Sequence, residues 1–218
     1  MLRPYQASGT GQLKTHAPSR SKPDPTPGFP GGREARNTAA PGTCGTFSEE
    51  ARVTAPSPKT LAMRILDRRG IAYEVVSFPE TIHDALGVAA HAGLPAAHVF
   101  KTLVVLADEP RRHSLLVLVP AGTSLDLRRA AGALGVKRLR MATQAEAEKL
   151  TDLKVGGISP LALLSKPFEV HLDRSAEILP WLVVSAGKRG LNLRMRVDDF
   201  RLVTGAQWLD AARPEETG

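Results

Sequence analysis

The chain has 218 residues, room for one ordinary domain with an extension or for two small domains. Its hydrophobic share of 42% can close a core, while no apolar run reaches the length of a membrane span. One cysteine, Cys44, excludes an intrachain disulfide and a cysteine zinc cluster, and 29 basic against 22 acidic residues leave a charge of +7 that favours polyanions.

Residues 1–57 carry seven Lys/Arg against four Asp/Glu, which leaves 22 and 18 for the rest, so the later part is only mildly basic. That balance suits contact with the end of an RNA better than the coating of a long duplex. The first 57 residues are rich in Gly, Pro, Ser and Thr, as in SKPDPTPGFPGG, and cannot bury enough apolar surface to offset their ordering entropy. They are expected to be a disordered extension holding Cys44. The start MLRPYQASGTGQLK lacks the apolar core of a secretory signal, so a cytoplasmic protein is expected.

The domain is expected over 58–215. In KTLAMRILDRRG, Leu61, Ile65 and Leu66 share a helical face and Gly70 ends the helix. IAYEVVSF reads as a strand. Thr81 is the expected cap of a helix through IHDALGVAAHAG, closed by Gly93 and Pro95. KTLVVLAD and SLLVLVP read as strands buried on both faces, joined by the polar turn DEPRRH. SLDLRRAAGALG is a helix begun by Ser124 or Asp126, and KRLRMA a short strand. Thr143 and Glu146 form a capping box at the head of TQAEAEKL. A loop, VGGISPLALLSKP, leads to the strands FEVHLD and WLVVSAG, the basic turn GKRG and the strand LNLRMRV. DDFRLVTG is the last helix expected. Interleaved strands and helices without a strict βαβ rhythm predict a mixed α/β sheet flanked by helices.

No GxSxG, HExxH or GxxxxGK[ST] pattern is present, and His83, His91, His98, His113 and His171 show no tight metal spacing. No metal or cofactor is expected. Three features are unusual for a plain core. Lys101 heads an apolar strand on the face of Leu103 and Val105, where it either snorkels to water or is aimed into a pocket. Gly156-Gly157-Ile158-Ser159-Pro160 can bring backbone N–H groups close to a ligand, and Pro160 pushes Ser159 towards an extended conformation. Ser185-Ala186-Gly187-Lys188-Arg189-Gly190 places two cations at a strand end, suited to a phosphate, with Arg194 and Arg196 adding to one basic face. Each feature alone is also compatible with an ordinary strand end or turn.

In order, VFKTLVV, SLDLRRAAGALGVKR, VGGISPL and VSAGKRGLNL resemble the YbaK/EbsC/ProX group of aminoacyl-tRNA editing proteins, from Pro58 to near Arg213. The resemblance implies a barrel-like mixed sheet and hydrolysis of the ester that joins a wrong amino acid to tRNA. It makes Lys101 the essential lysine with Thr102 beside it, and Gly156 to Pro160 the family's Gly-x-x-x-Pro loop. Ser185 to Gly190 becomes the turn that frames the pocket. Lys101, Gly156 and Gly157 are then the expected catalytic residues. Phe78, Thr102, Ser159, Pro160, Ser185, Gly187, Lys188, Arg189 and Asn192 are the expected substrate contacts.

The implied partners are the acceptor end of a tRNA, foremost that for proline, and prolyl-tRNA synthetase, with neither membrane nor DNA. Phe78 stands where cysteine-specific members carry tyrosine, Ala186 replaces a common glycine, and Asn192 stands where an acid is frequent. Cysteine is the first substrate expected, with alanine, serine and threonine as alternatives. The competing reading is a non-catalytic module of the same fold that grips tRNA or a nucleotide.

Overall fold

The computed structural model describes residues 58–109 and 114–215, all within the compact unit Val53–Gly218. The expected extension with Cys44, and residues 110–113 with His113, lie outside the described residues. In chain order the elements are α1 (Leu61–Arg68), β1 (Glu74–Ser77), α2 (Ala85–Ala92), β2 (Phe100–Ala107), β3 (Ser114–Pro120), β4 (Thr123–Leu125) and α3 (Leu127–Leu134). There follow β5 (Leu139–Met141), α4 (Gln144–Thr151), β6 (Phe168–Asp173), β7 (Trp181–Lys188), β8 (Leu191–Arg196), α5 (Val197–Thr204), β9 (Gln207–Leu209) and β10 (Ala212–Pro214). Short 3-10 turns occupy Ala96–His98, Pro160–Ala162 and Arg174–Ile178.

The unbroken apolar run of β3 is explained by its place at the centre of a five-stranded sheet, ordered β5-β2-β3-β6-β9. It pairs antiparallel with β2 and parallel with β6, so the sheet is mixed. Leu115 to Val119 are all at 0% exposure. Their alternation divides them: Leu116 and Leu118 join the larger core, Leu115, Val117 and Val119 the core on the other face. Each such side chain contributes about 1.5–3 kcal/mol by leaving water.

A second sheet, β1-β8-β7, is antiparallel and abuts the first at a single parallel bridge, Val99 to Val183. A third sheet is the antiparallel pair of β4 with β10. The result is a barrel-like mixed α/β domain flanked by helices, with a ring that is not closed among the described residues.

Helix ends follow local chemistry. Asp126 caps α3, its side chain accepting from Arg128 and Arg129 N–H, so of the two expected starts it is the acid that serves. Helix α2 is capped by Asp84, which accepts from Gly87 N–H at 2.7 Å, and not by Thr81. Residues 79–82 turn instead, with Ile82 N–H donating to Pro79 O. In α1 the buried side is Ala62, Met63 and Leu66, while the expected Leu61 is 45% exposed.

The capping box of α4 forms as its spacing dictates, with Thr143 and Glu146 exchanging bonds. Arg140 grips the Glu146 carboxylate through both guanidinium arms at 2.8 and 2.9 Å. That contact first, then the Thr143 N–H, holds the carboxyl at about 2 against an ordinary 4.5. The folded group therefore binds its proton later than the unfolded one. Its stabilisation is full above pH 4.5 and lost as pH falls through about 2. The margin in Tm of wild type over Glu146→Gln is expected to shrink across that window in thermal melts. A margin independent of pH contradicts this.

Candidate functional site

Where β2 begins, its two faces and the cluster under α2 meet around a cavity of about 310 Å³. The volume lies at the low end for small-molecule sites. Phe78, Ile82, Val88 and Val99 supply one apolar wall from a small separate cluster that also holds Ala89 and Val183, and Phe100 and Ile158 another from the larger core. Of the residues anticipated as site members, Phe78, Lys101, Thr102, Gly156, Ser185 and Asn192 line it.

Lys101 lines the cavity and is also part-exposed to solvent. It sits opposite Val119 at the start of β2, its side chain is 29% exposed, and its Nζ donates to Glu215 Oε1. Glu215 also lines the cavity and had no signal in the sequence. The Thr102 hydroxyl is buried without a protein partner. Asn192, 7% exposed, lies opposite both Ser185 and Val76 in the second sheet.

The glycine loop differs in detail from its sequence reading. Lys154–Gly157 is a β-turn closed by Gly157 N–H to Lys154 O at 2.8 Å. Its third residue, Gly156, has φ +87°, the conformation such a turn reserves for glycine. Gly156 therefore faces the cavity, and its N–H is not the one that closes the turn. Gly157 was expected to present its N–H to the substrate; that N–H is spent within the turn, and Gly157 does not line the cavity. A Cβ on Gly157 would instead meet the hairpin backbone, 3.0 Å from Arg189 N and 3.2 Å from Lys188 C.

Ser159 is extended, as Pro160 requires, but it is fully buried with its hydroxyl unpartnered. Pro160 starts the buried 3-10 turn. Neither touches the cavity.

The basic turn is tighter than expected. β7 continues to Lys188 with an irregular register between Ser185 and Lys188, and only Arg189 and Gly190 form the bend. Gly187, at φ +89°, sits in that irregularity and donates its N–H to Ser185 Oγ at 3.2 Å. Arg189 Nε donates to Val155 O at 2.7 Å, tying the hairpin to the glycine loop. Lys188 is exposed and makes no ion pair among the described residues.

The wider basic face is largely neutralised. Arg194 pairs with Glu74 at 3.1 Å and covers the Trp181 ring at 4.0 Å, while Arg196 lies near Asp198 and Asp199. Ala186 is at 0% exposure in the main core, so it does not shape the cavity directly. Among the described residues no three His, Cys, Asp or Glu side chains are grouped to hold a metal, and no helix is long and apolar enough to cross a membrane.

Residues 79–202 match the aminoacyl-tRNA editing domain family. The chain is 29% identical over 159 residues to EbsC of Enterococcus faecalis, a candidate Cys-tRNA(Pro)/Cys-tRNA(Cys) deacylase by name, covering 72% of this chain and 95% of that protein. A crystal structure described as a candidate trans-editing enzyme for prolyl tRNA synthetase is similar at 28% identity. It covers 72% of this chain and 98% of its own, with a TM-score of 0.60. The hypothetical protein APE2540 shares the fold at 22% identity and a TM-score of 0.64, over 70% of this chain and 99% of its own.

Proposed function

Because the chain belongs to the aminoacyl-tRNA editing domain family, we propose that its trans-editing role is the hydrolysis of a small amino acid, cysteine first, from mischarged tRNA(Pro). The observation that carries this reading is the cation of Lys101 and the turn of Gly156 on one small cavity. An aminoacyl ester is already activated, so the protein has chiefly to bind it and stabilise the charge that develops on its carbonyl oxygen.

Water adds to the ester carbonyl carbon, and the displaced electron pair becomes an oxyanion facing Lys101 Nζ and the Gly156 N–H. Collapse breaks the bond to the ribose oxygen, which takes up the proton released by the attacking water. Free amino acid and deacylated tRNA leave. Lys188 supports the acceptor end through its phosphates. Phe78 and Asn192 face the side chain and polar atoms of the amino acid, where one methylene is worth only about 1–3 kcal/mol. The reaction belongs to the cytoplasm, in trans to prolyl-tRNA synthetase, and needs no metal.

The test is single-turnover deacylation of tRNA(Pro) charged with cysteine, alanine, serine or threonine, with and without EDTA, tRNA structure being kept by spermidine. Cleavage of at least one member, fastest for cysteine and indifferent to EDTA, is expected. Binding without cleavage across the panel would favour the non-catalytic module. Activity lost to EDTA and restored by zinc would overturn the metal-free reaction.

A further inference from the structure

We infer that Glu215 is the receptor for the α-ammonium of the aminoacyl ester and so a specificity-determining residue of the cavity; this rests on the deacylase reading given above. Its place in the cavity is built by buried contacts far from it in sequence. Asp173, only 4% exposed, accepts from Ala211 N–H at 3.3 Å and Ala212 N–H at 2.9 Å. Asp126 N–H donates to Ala211 O at 2.8 Å. The segment then pairs as β10 with β4, and Glu215 N–H reaches Gly122 O at 3.2 Å beside the cavity.

The carboxylate delivered this way meets Lys101. An aminoacylated tRNA end carries an ammonium beside an ester carbonyl whose oxygen becomes negative as water adds. The ligand thus brings one partner for each member of the Lys101–Glu215 pair, and both charges stay matched when the pair separates. The other candidates are less suited. Asp84 lines the cavity, but one of its oxygens caps α2. Ser185 Oγ is engaged by Gly187 N–H, and Thr102 and Asn192 are neutral. A carboxylate hydrogen-bonded to an ammonium is the stronger contact.

The test compares the fastest-cleaved member of the tRNA panel with its N-acetylated form, which has no ammonium. Wild type is expected to favour the free amine in kcat/KM by roughly tenfold or more, the yield of one charged hydrogen bond. Glu215→Gln is expected to reduce that ratio about tenfold, towards that of the two esters in buffer alone, and Glu215→Asp to restore part of it. The ratio within one variant is independent of how much of that variant is folded. Wild type without the preference, Glu215→Gln that keeps it, or Asp84→Asn as the variant that removes it would each overturn the inference. Wild type that cleaves no panel member refutes the deacylase reading itself, and this inference with it.

Discussion

Lys101→Ala is expected to deacylate about 10²–10³-fold more slowly than wild type at saturating enzyme, the loss that follows removal of one preorganised donor to an oxyanion. The deficit is expected in kcat more than in KM, because the charge it answers develops in the transition state. It should fall at the upper end of that range. Without Lys101, the Glu215 carboxylate loses its cationic protein partner in the cavity, close to where negative charge must form.

Folding should be spared. The pair is 29% and 45% exposed, and ion pairs so open to solvent contribute no more than about 1 kcal/mol. Single-turnover rates beside thermal melts decide the matter. A variant that melts with wild type and keeps its turnover removes Lys101 from the chemistry.

The second large effect is expected at Gly157, and its cause is a seam between two loops. A Cβ there would lie 3.0 Å from Arg189 N, 3.2 Å from Lys188 C and 3.3 Å from Lys154 O. These are backbone atoms, so no side chain can swing aside. The glycine turn and the β7–β8 hairpin must part, at about 1–3 kcal/mol for such overpacking. The parting stretches the Arg189–Val155 bond and moves Gly156 from the cavity wall.

Gly157→Ala is therefore expected to lower kcat by roughly tenfold or more and to lower Tm by several degrees. Lys188→Ala should do the opposite. As an exposed cation it is expected to weaken tRNA binding and to flatten the salt slope by about one unit, with single-turnover chemistry intact. Filter binding across a salt series separates the two. If Gly157→Ala affects binding alone while Lys188→Ala affects chemistry, the roles given to the two loops are reversed.

Much of this arrangement is legible in the sequence wherever one local rule acts alone. β3 is unbroken because both its faces are buried, and α4 starts at Thr143 because its box partner stands three residues on. The start of α2 was harder, since Thr81 and Asp84 are both good caps, and the local turn at Pro79–Ile82 leaves Asp84 to serve. The strands β4, β9 and β10, of three residues each, were not anticipated, and each pairs with a strand remote in the chain.

Within the site, Lys101 stood out as a cation on an apolar strand, and the paired glycines as a place of close approach. Which glycine faces the cavity depended on the turn's hydrogen bond, which composition does not reveal. Glu215 could not have been found locally. It lies 114 residues from Lys101, and its position is set by Asp173 and β4.

That long reach bears on how the protein comes into being. A chain leaves the ribosome from its N-terminus, and a domain folds as a unit once enough of it has emerged. Phe78, Lys101, Gly156 and Ser185 emerge first, and Glu215 follows them all. Until then the Asp173 carboxylate lacks the two N–H groups of residues 211 and 212, β4 has no partner in β10, and Lys101 has no counter-charge from residue 215. The nascent domain thus holds an unfinished cavity while its own synthesis still draws on aminoacyl-tRNA. The Lys101–Glu215 pair is completed only when residues 211 to 215 have followed the rest of the cavity's lining.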